Sequence, residues 1–461
     1  MNIDLSYLSY PLPTDIQMLY DSGRFTEMNR LIQVNLEKSL VPDLLRERLL
    51  YASIAAEDVV NAYRLTRAEA LQKARTHIPD LSDAEWQQLT DERTLDWRFI
   101  EGEVRYRNNC VSNLLKTRPE FAAREKELAT VHSRQAQADS LNSIIKTIQE
   151  NGNVRVHSEL RESITINSNS LTPGEPLRVW LPLPVAHAPI VSWHLLSTSH
   201  DPVQIADAHV KQPTVYFELP YEPGMTISTA LAWDTEMPYV KMDQRMVTGA
   251  LPSADVSPED LAELEPHIRF TPYLKALTRE IIGEEVHPLR RARRIYDFIT
   301  RQCTYRFMPS YRSIPDIPGY FASNMRGDCG VQALTFITMC RIAGIPARWQ
   351  SGLYTSPLDS GMHDWAQFYI APYGWRFADC SFGGSAYRAG DLPRHDFYFG
   401  HLDPWRLPFA SAFQQAFEPA NAFMRYDPYD NQVGEVESLH GRVNINDLDH
   451  THTLLKSEII S

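Results

Sequence analysis

The sequence predicts a multidomain α+β protein: an N-terminal helical region, a central β-sandwich, and an α+β domain built around one cysteine. Three observations predict it. Apolar residues recur at helical spacing up to about residue 150, the periodicity changes to two between 154 and 233, and Cys329 opens an apolar run ending at Ala343 that precedes two short strands. At 461 residues the chain exceeds one compact core, and the usual domain size suggests about three units. The expected divisions are 1–150, a helical domain or arm; 151–240, the sandwich; 241–270, a linker; 271–440, the thiol-bearing domain; and 441–461, a C-terminal tail.

The helical region is predicted by Thr14-Asp15-Ile16-Gln17 and Ser82-Asp83-Ala84-Glu85, which match the capping box that satisfies free backbone donors at a helix start. Trp97, Ile100, Val104, Val111 and Leu114 continue the helical spacing. Asn151-Gly152-Asn153 breaks it. Short alternating runs such as Val154-Arg155-Val156, Ser163 to Ile166, Arg178 to Leu181 and Val215 to Leu219 then follow, separated by Pro and Gly, and predict the sandwich. Between Met237 and Thr271 the periodicity is poor, as in a surface loop. Pro288 suits a first helical turn with Ala292, Ile295, Phe298 and Ile299 on one face, and the Cys329 helix stops at Gly344 with Pro346 beyond. In the next strand Asp364, Ala366, Phe368 and Ile370 alternate with Trp365, Gln367 and Tyr369; Pro372-Tyr373-Gly374 turns the chain, and Trp375 to Asp379 forms the partner strand.

Composition excludes several functions. An apolar fraction of 43% and a charged fraction of 22% are those of an ordinary globular protein. With 58 acidic and 45 basic side chains the net charge is -13, which repels phosphate backbones and anionic lipid, so neither nucleic acid nor a membrane is the expected partner. The N-terminus shows no secretory pattern, and no stretch approaches the ~20 apolar residues of a spanning helix. Five scattered cysteines without a Cys-x-x-Cys pair argue against a disulfide framework or thiolate zinc site, and a reducing cytoplasm is the expected location.

The chemistry follows from placement. A thiol at a helix start meets the positive end of the backbone dipole, which favours thiolate, and the free amides there can hold an oxyanion. Downstream, His363 opens a strand and Asp379 lies near the end of the next, so nucleophile, base and orienter occur in the order Cys, His, Asp. Sulfur attacking an amide carbonyl gives a tetrahedral anion, and the imidazole must protonate the departing amine before a thioester forms. Cys110 and Cys340 are expected to be inert core thiols.

Gly327-Asp328-Cys329-Gly330, the run Arg341 to Arg348, His363-Asp364-Trp365-Ala366 and Trp375-Arg376-Phe377-Ala378-Asp379 resemble the bacterial transglutaminase-like superfamily. The likeness spans roughly Pro288 to Gly383; the β-rich segment before it is similar to the sandwich that often precedes this domain, and Phe399 to Arg406 with Asn431 to Glu437 resemble its tail. The resemblance implies a papain-like transglutaminase-core domain with Cys329 as nucleophile, His363 as general base and Asp379 as its orienter; from the residues themselves, no cofactor or metal is expected. It also implies a second oxyanion donor upstream, for which Tyr305 is the first candidate, with Tyr311 and Tyr320 behind it. A symmetric hairpin turning at Ala371 to Gly374 would set His363 opposite Phe382, so a bulge, twist or shifted register is expected to bring Asp379 to it.

The expected activity is thiol-dependent acyl transfer on a peptide or protein amide, with water as acceptor. A protein-glutamine transglutaminase with an amine acceptor is the alternative, and a non-catalytic binding or scaffold protein on the same fold is the other. His450 and His452 near Asp447 and Asp449 make a poor metal site, and no calcium loop or phosphate-cradling glycine loop occurs.

Overall fold

The structure is a computed structural model that describes residues 4–126, 128–207, 209–252 and 254–461. Helices Thr14–Asp21, Phe25–Leu36 and Asp43–Ala62 pack around Ile16, Met28, Ile32 and Leu49. Helices Arg67–His77, Asp83–Asp91 and Cys110–Thr117 bury Trp86, Leu89 and Leu114 in a second core. The capping box at Ser82 forms, and Thr66 makes another with Glu69. None forms at Thr14, where Pro13 takes the cap position and Gln17 reaches Asp21 at 2.9 Å instead.

The helical spacing through Trp97, Ile100 and Val104 is overturned. Trp97–Ile100 and Glu103–Tyr106 are antiparallel strands, and the two residues between them, Glu101 and Gly102, have φ of 50° and 83°. Two consecutive positive φ values make a tight hairpin turn and cannot continue a right-handed helix. Helix Leu128–Asn151 ends where expected, with Gly152 at φ 76° leading into strand Asn153–Ile166.

Two four-stranded sheets follow. One runs 448–459, 153–166, 226–238, 190–198 and the other 435–437, 176–182, 214–220, 204–205. Leu160, Ile164 and Leu231 from the first meet Val179, Leu181 and Phe217 from the second in one apolar core. Each sheet thus takes a strand from the C-terminal end of the chain. The run expected as a tail is strand Leu448–Ile459, paired along Val156 to Ile166. Its residues are mostly polar and half-exposed, so alternation there carries little signal.

A five-stranded sheet runs in the order 399–400, 374–378, 359–370, 347–356, 406–410. Helix Cys329–Ile342 covers one face, burying Val331, Leu334 and Ile337 with Ala347, Ala366, Phe368 and Ile370. Leu353, Leu407 and Phe409 join the sandwich core, and on the face away from the Cys329 helix Tyr354, Trp365 and Phe377 pack with Leu141, Ile144 and Ile148 of helix Leu128–Asn151. Among the described residues no helix is long and apolar enough to cross a membrane.

Candidate active site

Cys329 is the first residue of its helix, and Asp328 caps it. One Asp328 carboxylate oxygen accepts from the Val331 N–H at 3.3 Å and from the Tyr311 hydroxyl at 2.6 Å, and the other accepts from the Met308 N–H at 3.0 Å. One side chain therefore fixes both the helix start and the incoming segment Tyr305 to Tyr311. Gly330 is required by space: a Cβ there would collide with the Tyr311 hydroxyl and the Asp364 carboxyl.

His363 and Asp379 meet. Nε2 of His363 lies 2.8 Å from Oδ2 of Asp379, and both residues are buried. The pairing, with Ile370 opposite Gly374, is shifted by one residue from the symmetric hairpin, and that shift alone does not set Asp379 opposite His363. Strand Gly374–Ala378 ends at Ala378, opposite Ala366, and Asp379 leaves the sheet to cap helix Cys380–Arg388, its Oδ1 accepting from the Phe382 N–H at 2.9 Å. That exit turns the other carboxylate oxygen toward His363. Arg406, fully buried, contacts the same oxygen at 2.9 Å and Asp403 at 2.5 Å. Burial by itself would raise the Asp379 carboxyl, but the His363 ring and the Arg406 guanidinium outweigh it and hold it below the usual range. Burial also lowers His363, more than Asp379 raises it, so the ring is neutral near pH 7. With Nε2–H directed at Asp379, Nδ1 keeps its lone pair, and among the described residues it has no hydrogen-bond partner.

The thiol has a different neighbour. Sγ of Cys329 donates to Oδ2 of Asp364 at 3.4 Å, and among the described residues no hydrogen bond joins it to His363. The two contacts lie one residue apart on strand Asp359–Ile370, where strand Gly374–Ala378 has already ended along one edge while strand Ala347–Ser356 still pairs along the other. Gln432 Nε2 donates to Oδ1 of Asp364 at 2.8 Å, and the Asp430 carboxyl, itself held by the Ser351 hydroxyl at 2.7 Å, lies close enough for its charge to act on Asp364. The expectation of a depressed thiol is not met in this arrangement. Burial, then the charges of Asp364 and Asp328, push Cys329 well above its ordinary value.

Tyr305 is buried beside the nucleophile helix, and the Lys116 ammonium sits 4.0 Å from its ring centroid. Tyr311 is committed to Asp328, while Tyr320 lies on helix Ile317–Asn324. The other four cysteines are all buried. The N-terminal region reaches this segment directly: Arg312 pairs with Asp58 at 2.7 Å, Arg306 with Asp96 at 2.7 Å, and Arg107 donates to the Phe307 and Met308 carbonyls. Sequence reasoning missed Asp364, Arg406 and Gln432. The signal for Asp364 was available, because a carboxyl in step with Ala366, Phe368 and Ile370 must enter the core.

Residues 275–380 match the model of the transglutaminase-like superfamily. This segment is a transglutaminase-like superfamily domain. It contains Cys329, His363 and Asp379, and everything N-terminal to residue 275 lies outside it. No curated protein matches the chain. Among solved structures, the chain is similar to a putative cysteine protease from Cytophaga hutchinsonii, with 16% identity and a TM-score of 0.42 over 66% of this chain and 91% of that one. It is also similar to the periplasmic domain of TgpA from Pseudomonas aeruginosa, with 16% identity and a TM-score of 0.27 over 52% of this chain and 93% of that one.

Proposed function

We propose that this protein transfers the acyl group of a peptide-like amide to water through a thioester on Cys329, with His363 as general base and Asp379 as its orienter. The observation that carries the reading is the buried 2.8 Å His363–Asp379 bond. A transglutaminase-like domain spanning all three residues supports it, since that superfamily consists generally of cysteine-dependent enzymes.

The chemistry runs from a neutral pair. The thiol proton passes to Nδ1 of His363 as substrate displaces the thiol from Asp364, and the sulfur attacks the carbonyl carbon. Asp379, kept ionised by Arg406, stabilises the imidazolium that results. Backbone N–H groups at the start of helix Cys329–Ile342 face the oxyanion, with the Tyr305 hydroxyl as the proposed second donor. The imidazolium then protonates the leaving amine, and water, activated by the same ring, releases the acid.

The test is a peptide-library digest followed by mass spectrometry. Cleavage by the wild-type chain that vanishes in both Cys329→Ala and His363→Ala is the expected result; cleavage surviving either substitution removes the assignment. Adding a primary amine separates water from amine as acceptor, and products carrying the amine would favour the transglutaminase alternative.

A further inference from the structure

We propose that Asp364 is a further catalytic group of this site and controls the ionisation of Cys329: as a carboxylate it keeps the proton on sulfur, and as a neutral acid it lets the thiolate form. The inference rests on Cys329 being the nucleophile proposed above. Its geometric basis is direct contact, Sγ to Oδ2 at 3.4 Å, with the other oxygen pinned by Gln432 at 2.8 Å so that the carboxyl cannot swing away.

The surroundings decide the sign. Asp328 and Cys329 face Asp364 from the nucleophile helix, Ser351 pairs opposite it on the neighbouring strand, and Tyr305 and Tyr311 approach from the incoming segment. Asp427, Asp430 and Gln432 close the remaining side, with Arg425 behind the two carboxyls. The charged groups facing it directly are thus all acidic. Burial followed by the repulsion of Asp430 and Asp328 pushes Asp364 well above the usual carboxylate range, and Asp430 is raised to about 6. Both shifts favour keeping one proton on the Asp364–Asp430 pair.

The proton balance is simple. With the shared proton on Asp430, Asp364 is a carboxylate and Sγ–H donates to it; loss of that thiol proton to His363 would leave two adjacent anions. With the proton on Asp364, its O–H can donate to sulfur, and transfer of the thiol proton to His363 leaves a thiolate facing a donor. No oxidant or co-reactant enters, and only the position of one proton differs.

The experiment is the pH dependence of Cys329 alkylation by iodoacetamide, followed by peptide mass mapping of the full chain. Wild type should react with a midpoint above the ~8.5 of a free thiol. Asp364→Asn, which cannot ionise but keeps shape and a polar contact, should lower the midpoint by about one unit or more, giving about tenfold faster labelling at pH 7. Asp430→Asn removes an equal charge but also the partner that keeps Asp364 protonated, so its midpoint should not fall. Equal lowering by both variants, or no shift in Asp364→Asn, overturns the proposal. Should Asp364→Asn fail to fold, Asp364→Ser removes the same charge and must give the same shift. Because alkylation needs no substrate, the outcomes separate: a chain that cleaves no amide yet shows the shift retains thiol control and loses the proposed function. Cleavage through Cys329 without the shift sinks only the role of Asp364.

Discussion

Replacing Arg406 with methionine removes the one buried cation that touches both Asp379 and Asp403, at 2.9 and 2.5 Å. At an effective dielectric of about 20, the Asp379 contact alone corresponds to about 6 kcal/mol of gross attraction. Desolvation of the ions offsets part of that, and breaking a buried pair by deleting one partner costs about 3–5 kcal/mol in practice. Methionine approximately fills the space beside the Phe382 ring, whose centroid the guanidinium approaches to 4.3 Å, so packing loss is minor and charge dominates. The expected result is a loss of about 3–5 kcal/mol in urea unfolding at pH 8. The loss should also depend on pH with a definite sign. Without Arg406, burial, the first cause acting on Asp379, is less opposed, so its folded pKa rises above the unfolded ~3.9. A raised folded pKa gives stability that is present below the unfolded value and lost as pH rises, so the deficit should be smallest near pH 4 and full at pH 8. A substitution costing under ~1 kcal/mol at pH 8, or a deficit that grows on acidification, would refute the reasoning.

Other consequences follow from the same contacts. Asp379→Asn should lower kcat by about 10⁴ with little change in KM, because the amide no longer enforces the Nε2–H tautomer; steady-state kinetics on any substrate found by library digestion checks it. Asp58→Asn, which strips the partner from the buried Arg312, should destabilise by about 3 kcal/mol and increase protease nicking near Tyr311. Burial first and then the charge of Asp430 push Asp427 up to about 7, and burial pushes Asp430 up to about 6. Raised folded values mean stability falls as pH climbs from about 4 to about 7, and Asp427→Asn should flatten that slope in thermal melts.

Most of the fold was legible because apolar period and turn residues agreed. The change from helix to strand at Gly152 and the Cys329 helix with its Gly344 stop are both where the pattern places them. Glu101-Gly102 was hidden because Trp97, Ile100 and Val104 mimic a helical stripe, while only backbone dihedrals reveal the hairpin. Strand Leu448–Ile459 was hidden because an edge strand needs little apolar surface, and its partner is almost three hundred residues earlier. Within the site, His363 and Asp379 were found as a pair, but the reason they meet was not a matter of register. Asp379 stands at the first residue outside the sheet, and a helix cap sets its direction. The thiol's own neighbour, Asp364, was hidden because a carboxyl beside a motif histidine reads locally as an ordinary strand residue, and only its alternation with Ala366 and Phe368 marks it as inward-facing. Arg406 and Gln432 arrive from the distant C-terminal part of the chain, and no local spacing links them to Cys329.

Acyl-enzyme formation tests the central claim most directly. The chain would be mixed with activated peptide esters, quenched in acid within milliseconds and weighed intact, with the adduct mapped to a residue. The account predicts an acyl mass on Cys329 that decays in water and is absent in Cys329→Ala. Turnover of the same esters with no adduct on Cys329, or at an undiminished rate in Cys329→Ala, would contradict it.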